Sequence, residues 1–291
     1  MVMHENTPLL NQNTLFLKPR KPSKSAGFTL IEIIIVIVIL SVLSIGSVQF
    51  ISFSAHGYVD TARRSALAAS AAIINEKMSR LIREALPGSV RVSSDQSCIE
   101  FIPIVGATNY INAPFTSAST TVTAINLDSL LSTNGRLAIY PVVSDINDLY
   151  TVSGTQGFIS TQTVSSVVAG DEITFTFNAG AVFKFEKSSP QKRLYIVEQP
   201  NAFCQVGSAI FYYRNYGFVG DISNLAASLP ISVPNRLMIS NDLLASSLRF
   251  RYLPSSLRRN ALVAYELQLQ GDSDLSETMT LNQEVQIRNV P

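Results

Sequence analysis

The feature that most constrains this chain is an apolar run over residues 28–53, in which Glu32 is the only ionisable side chain. The run is longer than the roughly 20 residues that an α-helix needs to cross a bilayer. It is also longer than the apolar core of a secretory signal peptide, which spans about 7–15 residues. The sequence therefore predicts a membrane-spanning helix, which explains much of the 46% hydrophobic content of the chain.

The charges around the run predict its orientation. By the positive-inside rule, basic residues before the run place the N-terminus in the cytoplasm and the residues after Phe53 across the membrane. There are four of them: Lys18, Arg20, Lys21 and Lys24.

Without residues 1–27, the chain holds 18 Lys and Arg against 20 Asp and Glu. That balance does not indicate a basic surface for nucleic acid.

Two cysteines, Cys98 and Cys204, follow the apolar run. On the far side of the membrane a disulfide is chemically reasonable, and both cysteines adjoin segments with the composition of strands. A bond between them would close a loop of about 105 residues, which the chain-entropy model values at roughly 4–5 kcal/mol. The alternative is a pair of buried free thiols. We expect the disulfide.

The residues around Glu32 resemble a processing signal. In the stretch Gly27-Phe28-Thr29-Leu30-Ile31-Glu32, a glycine stands directly before the apolar run, and a glutamate lies inside the run, five residues after that glycine. It resembles the cleavage site of type IV prepilins and pseudopilins. The resemblance implies that residues 1–27 are a leader and that prepilin peptidase cuts between Gly27 and Phe28. It also implies that the peptidase methylates the new amine of Phe28.

The resemblance further implies an assembly role for Glu32. A carboxylate inside the bilayer costs about 2.5–3.5 kcal/mol on insertion scales, and a nearby cation offsets that cost. In pilins this cation is the N-terminal ammonium of a neighbouring subunit, so subunits that supply it dock in one register. The alternative for Glu32 is a tolerated polar residue near the membrane interface.

The partners and location follow from the same resemblance. The expected partners are prepilin peptidase, other minor and major pilins, the inner-membrane assembly platform and membrane lipid. The expected location is the inner membrane, with a single span, a cytoplasmic N-terminus and a periplasmic head. The protein would later leave the membrane for the pilus.

The rest of the chain predicts an α+β architecture. Apolar residues recur at three- and four-residue spacing as far as Ala85, and Pro87-Gly88 ends the pattern. We therefore expect one helix over residues 28–86, and a mostly antiparallel, β-rich head over residues 87–291. The strand candidates are residues 98–104, 136–143, 172–177, 181–186, 193–198, 209–213, 248–253, 261–270 and 284–290.

Three local predictions concern segments between these strands. Residues 107–132 are rich in Ser, Thr, Ala and Asn and show little periodicity, which predicts a long loop or a poorly ordered insertion. Residues 177–181 have the composition of a hairpin loop in which Gly180 takes a positive φ. Residues 241–247 are predicted to form a short helix.

Further stretches resemble one branch of the pilin-like family. Residues 84–92, 189–197 and 285–291 together resemble minor pilins of the MshO type, which serve the mannose-sensitive haemagglutinin (MSHA) pilus. The head is also larger than is usual for a major pilin. The resemblance implies a role in pilus initiation and surface attachment. Two alternatives stay open: a J-type minor pseudopilin of type II secretion, and a tip adhesin that binds a surface ligand.

The composition argues against an enzyme. His4 lies in the leader, so the mature chain would keep only His56. Neither a Ser-His-Asp nor a Cys-His arrangement is then available in the head. We expect no catalytic residue and no cofactor, and the least favoured alternative is an anchored periplasmic enzyme.

Two clusters of oxygen-bearing side chains could bind calcium, but groups of this kind are more often turn formers. They are Asp145 with Asn147 and Asp148, and Asp272 with Asp274. We therefore predict no metal ligand. The aromatic run over residues 211–216 is expected to form a strand with alternate rings in the core, rather than a ligand-binding surface.

Overall fold

The computed structural model describes residues 27–126, 134–255, 259–271 and 278–287. The chain divides into two units, with the boundary between Val59 and Asp60. Helix α1 (Leu30–Arg83) begins in the first unit and ends in the second. A short second helix, α2 (Leu225–Ser228), lies in the head.

The described residues after α1 form sixteen β-strands. Apart from β6 with β9, every strand pairing among these residues is antiparallel, which confirms the predicted α+β fold. The strands are β1 (Arg91–Val92), β2 (Cys98–Phe101), β3 (Ile104–Asn112), β4 (Thr121–Ile125), β5 (Arg136–Ala138), β6 (Gln156–Gly157), β7 (Ile159–Ala169), β8 (Glu172–Phe177), β9 (Lys184–Phe185), β10 (Arg193–Val197), β11 (Asn201–Val206), β12 (Ala209–Tyr213), β13 (Arg236–Ser240), β14 (Arg249–Leu253), β15 (Ala261–Gln270) and β16 (Thr278–Ile287).

The second half of α1 contributes one face to the core of the head. Leu67, Ala71, Ile74, Met78 and Ile82 recur at three- and four-residue spacing and are all buried, which confirms the predicted amphipathic pattern. They pack against the five-stranded sheet β1-β2-β11-β12-β13 and the three-stranded sheet β14-β15-β16. Full burial of a large aliphatic side chain stabilises the fold by about 1.5–3 kcal/mol. This face therefore anchors the helix to both sheets.

The chain that leaves α1 is hydrogen-bonded to the segment between β2 and β3. The amide of Leu86 donates to the carbonyl of Ile102 at 2.7 Å, and the amide of Ile104 donates to the carbonyl of Glu84 at 2.8 Å. Strand β2 belongs to the five-stranded sheet, whereas β3 belongs to a second layer, the barrel. The end of the helix is thus tied to the point where the chain passes from one layer to the other.

Six strands close into an antiparallel barrel in the order β10-β3-β4-β8-β7-β5. Buried aromatic rings fill it, and Phe183 lies 5.9 Å from Phe177 and 5.2 Å from Phe185, measured between ring centroids. These edge-to-face contacts are a favourable arrangement for aromatic rings. Beside β5, a Cβ on Gly135 would lie 2.7 Å from the carbonyl oxygen of Val197. A glycine there lets β5 approach β10.

The predicted loop over residues 107–132 is wrong for the part that the structure describes. Strand β3 continues to Asn112, and β4 follows. Residues 127–133 lie outside the described residues. The buried side chains of these two strands include Thr108 and Ala124. Because these residues are polar or small, the alternation that marks a strand is weak in the sequence.

The predicted hairpin over residues 177–181 is also wrong. After β8 the chain makes a 3-10 turn over Asn178–Gly180, and β9 then pairs in parallel with β6. Gly180 does take a positive φ, of 64°. The tight turn is present, but it does not return the chain to β8.

The predicted helix over residues 241–247 does not form. The amide of Leu243 donates to the carbonyl of Ser208, and the amide of Leu244 donates to the carbonyl of Gln268. The turn between β11 and β12 and strand β15 thus accept from backbone amides that a helix would have used. Tertiary pairing therefore overrides the local preference.

Candidate functional site

The predicted processing site lies immediately before the first turn of α1. Gly27 and Phe28 have no regular secondary structure, and the Phe28 side chain is 77% exposed. Thr29 caps the helix, since its Oγ1 accepts a hydrogen bond from the amide of Glu32 at 3.3 Å. The three-residue spacing of Thr29 and Glu32 is that of a capping box. The sequence itself thus sets where the helix begins.

Local packing does not require the glycine at position 27. A Cβ on Gly27 would meet no other atom within 4 Å, and its φ lies outside the left-handed region. The peptide bond between Gly27 and Phe28 lies outside the helix, between two exposed residues. In the described chain, nothing about the fold explains why this residue is a glycine.

Glu32 occupies the first turn of α1, where a negative charge interacts favourably with the helix dipole. Within the part of the chain that the structure describes, no cationic side chain lies within 4.0 Å of its carboxylate. Its neighbours Ile31 and Ile33 are apolar and exposed. As far as the described residues go, Glu32 is therefore an unpaired acid on an apolar helix surface.

Among the described residues, none covers that helix surface. Every residue from Gly27 to Val59 is exposed, including Phe53 at 80%. Among the described residues, α1 is the one helix long and apolar enough to cross a membrane, and none of its most apolar window is buried. The core helix of a soluble protein would be covered by its own fold. This surface instead needs lipid or other protein chains around it.

The hydroxyls of two serines on this surface form hydrogen bonds to backbone carbonyls of the same helix. Ser41 Oγ donates to the carbonyl of Val38 at 2.8 Å, and Ser44 Oγ donates to the carbonyl of Leu40 at 2.6 Å. Hydrogen bonds of this kind let a hydroxyl face an apolar medium without losing its partner. The serines are therefore compatible with a lipid-facing helix.

A disulfide joins Cys98 to Cys204 in the head. The two residues are directly opposed on the antiparallel strands β2 and β11, with their Cα atoms 4.2 Å apart. Both pack with Tyr213 and Leu225 in a buried cluster. The bond therefore crosslinks neighbouring strands of the five-stranded sheet.

A buried ion pair in the head was not predicted from the sequence. Arg91 on β1 and Glu100 on β2 are 3% and 0% exposed, and Nε of Arg91 lies 2.6 Å from Oε2 of Glu100. The Arg91 guanidinium also donates to Oδ1 of Asn147 and to the carbonyls of Val219 and Gly220. One side chain thereby connects the five-stranded sheet to the 3-10 helix Ile146–Leu149 and to the loop that contains Val219 and Gly220.

Aromatic residues complete the surroundings of this pair. The Arg91 guanidinium lies 3.5 Å from the ring centroid of Tyr150, and the hydroxyl of Tyr216 donates to Oε1 of Glu100 at 3.0 Å. Burial raises the pKa of Glu100, although Arg91 and Tyr216 oppose the shift. In the sequence, the one sign of a buried acid was that Glu100 lies inside a run with the composition of a strand. No local pattern identified Arg91 as its partner.

The first oxygen-rich cluster forms a turn. Asp145 caps the 3-10 helix Ile146–Leu149 by accepting from the amide of Asn147 at 3.0 Å, and Asn147 binds Arg91. The described residues contain no group of three or more His, Cys, Asp or Glu side chains that could hold a metal ion. Asp272 and Asp274 lie outside the described residues.

The first half of the aromatic run over residues 211–216 lies in β12, which ends at Tyr213, and residues 214–216 follow the strand. Tyr213 is buried, while Phe211 and Tyr212 are partly buried on opposite faces of the sheet. The sheet is covered on both faces, so every ring of the strand finds a contact. The expected strand is confirmed, with core contacts on both faces rather than on one.

Comparison with known proteins gives one match. A family model described as a prokaryotic N-terminal methylation motif matches residues 22–48. No curated protein and no solved structure matches the chain. The matched residues contain the exposed Gly27–Phe28 bond, the capped start of α1 and Glu32.

The motif and the structure agree on the nature of the N-terminal segment. The apolar, uncovered helix fits a membrane-anchored protein, and the motif is that of proteins that prepilin peptidase processes and that assemble as pilins. Proteins with this motif are structural rather than enzymatic. The chain thus carries an N-terminal methylation motif over residues 22–48, which supports placing it among the type IV pilin-like and pseudopilin proteins.

Proposed function

We propose that this chain is a minor pilin of an MSHA-type type IV pilus. In this proposal residues 1–27 are a leader, and prepilin peptidase cuts between Gly27 and Phe28 and methylates the amine of Phe28. The mature protein then spans the inner membrane once, with its head in the periplasm. It later joins the pilus through α1 and contributes to pilus initiation and surface attachment.

The observation that carries the proposal is the uncovered apolar surface of α1 beside an accessible Gly27–Phe28 bond. Such a surface is stable in lipid and is equally suited to a bundle of similar helices. A protein that moves from membrane to filament needs a surface that serves both environments. The absence of a packing reason for Gly27 supports a role in recognition by the peptidase.

In the proposal, Glu32 guides assembly. Its carboxylate would cost about 2.5–3.5 kcal/mol in the bilayer, and no described cation in its own chain offsets this cost. The N-terminal ammonium of a neighbouring subunit can do so. Docking of that neighbour is then favoured in the register that brings the two charges together.

Mass spectrometry of the N-terminus tests the processing step. We expect the chain co-expressed with prepilin peptidase to begin at a Phe28 that carries one added methyl group. Gly27→Leu should leave the leader attached. Gly46→Leu is the matched control, because a Cβ at Gly46 also meets no atom within 4 Å, and it should be processed normally. A chain that keeps Met1 beside an active peptidase contradicts the proposal.

Purified filaments test the choice of machine. If the protein is an MSHA-type minor pilin, its methylated N-terminal peptide is expected in pili together with other minor and major pilins. Recovery with type II secretion subunits instead would identify it as a J-type pseudopilin. The N-terminal motif is common to both, so only the co-purified subunits separate them.

A further inference from the structure

The backbone at the proposed cleavage site is free of helical hydrogen bonds. Among the described residues, no backbone amide donates to the carbonyl of Gly27, and the amide of Phe28 donates to no carbonyl. Both residues are exposed, and neither belongs to α1. Hydrolysis adds the oxygen of a water molecule to the carbonyl carbon of Gly27, breaks the C–N bond and passes one proton of that water to the nitrogen of Phe28. The carbonyl must be open for this attack, and in this structure it is.

Thr29 determines where the helix begins. Its carbonyl accepts from the amides of Glu32 at 3.1 Å and Ile33 at 3.3 Å, and its Oγ1 also accepts from the amide of Glu32 at 3.3 Å. A residue whose carbonyl takes the first helical hydrogen bond and whose side chain takes an orphan amide is an N-cap. Only Phe28 lies between this cap and the Gly27 carbonyl.

Without the Thr29 hydroxyl, Gly27 becomes the best N-cap in this segment. Glycine ranks with threonine as an N-cap, whereas valine and alanine rank far below both, and Phe28 has no side-chain oxygen. In a helix capped by Gly27, the amide of Ile31 would donate to the carbonyl of Gly27, because helical hydrogen bonds join residues four apart. The carbonyl that water must attack would then be occupied.

Packing does not fix the start of α1 in any other way. The side chains of Phe28 and Leu30 are each 77% exposed, and a Cβ on Gly27 would meet no atom within 4 Å. Neither the head nor a neighbouring element of the described chain therefore resists a shift of the helix start by two residues. The choice between the two starts depends on the local cap.

We infer that Thr29 is a positioning residue for the proposed cleavage. By starting the helix after the bond, its hydroxyl keeps the carbonyl of Gly27 free for attack by water. The inference rests on the proposed processing by prepilin peptidase and adds a residue to it. Because Thr29 acts through the backbone, its effect requires no contact between its side chain and the peptidase.

Cleavage kinetics of a series of Thr29 variants test this inference. Full-length chains in detergent are incubated with active prepilin peptidase, and mass spectrometry follows the loss of the leader. Thr29→Val keeps the shape of the side chain but cannot cap, and it should lower kcat/KM about fivefold, the factor that a typical N-cap is worth. Thr29→Ala should behave in the same way. Thr29→Ser and Thr29→Asn retain a cap and should be cut at about the normal rate.

Two further measurements separate capping from recognition of the side chain. If the longer helix hides the bond only in the free chain, Thr29→Val should raise KM and leave kcat unchanged, because every bound chain is extended at the bond. The Cα chemical shift of Phe28, read by NMR, should become helical in Thr29→Val. Thr61→Val makes the same substitution elsewhere on α1 and should change neither the rate nor that shift.

The outcomes distinguish this inference from the proposed function. Cleavage of Thr29→Val at the normal rate would overturn the inference, and so would slow cleavage of Thr29→Asn, since that variant keeps a cap. An equal loss of rate in Thr61→Val would also overturn it. If active peptidase leaves the unaltered chain uncut, the proposed function itself fails, and this inference fails with it.

Discussion

Replacing Arg91 with methionine should destabilise the head strongly. The change removes the guanidinium from every bond it makes and leaves the Glu100 carboxylate buried at 0% exposure with Tyr216 as its remaining partner. Breaking a buried ion pair by removing one partner costs about 3–5 kcal/mol. Because a folded domain is stable by only about 5–15 kcal/mol, this is a large fraction of the total. We expect Arg91→Met to lower the free energy of unfolding by about 3–5 kcal/mol.

Urea unfolding of the full chain in detergent measures this effect. The signal is the near-ultraviolet circular dichroism of tyrosine, because the chain has no tryptophan. Arg251→Met is the matched control, since Arg251 is exposed and such changes usually stay within about 0.5 kcal/mol. The double variant Arg91→Met, Glu100→Leu should recover more than half of the loss, because an apolar pair can replace a buried ion pair. A loss below about 1 kcal/mol for Arg91→Met, or a double variant less stable than the single, would refute the reasoning.

Three further predictions concern the assembly acid, the disulfide and the pH dependence of stability. Glu32→Ala should be processed normally but be absent from purified filaments, as judged by immunoblotting; normal incorporation would argue against Glu32 as the docking charge. Replacing both Cys98 and Cys204 with alanine should lower the free energy of unfolding by roughly 4–5 kcal/mol. Urea titrations of the unaltered protein after reduction of the disulfide should show a loss of the same size. Because burial raises the pKa of Glu100 above its ordinary value of 4.5, the folded state holds that proton more tightly than the unfolded chain. The stability that Glu100 adds through this proton is complete below pH 4.5 and is lost as the pH rises through the pKa of the folded state. Glu100→Gln should therefore make the urea midpoint fall less steeply over this pH range.

The N-terminal segment could be predicted because its signals are local. An apolar run with one acid is visible without knowledge of any other part of the chain. The amphipathic spacing of Leu67, Ile74 and Met78 is equally local, since neighbouring turns of one helix create it. The structure places these residues on one buried face, as the spacing indicates.

The barrel and the ion pair could not be predicted because they depend on long-range pairing. Strand β7 has exposed residues at most of its positions, so its alternation is weak until its neighbours are known. Glu100 could be recognised as an acid in a strand, but its partner Arg91 is set by the register of β1 on β2.

The hydrogen bonds at the end of α1 have a mechanical consequence. Tension applied along the helix reaches the head through the buried face of α1 and, beyond its end, through Leu86 and Glu84, whose backbones are bonded to Ile102 and Ile104. Because that segment runs between the sheet and the barrel, both layers share the load from the start. The crosslink between Cys98 and Cys204 then transmits part of the force to a strand more than a hundred residues away in sequence. Pulling on the helix therefore loads the sheet and the barrel together.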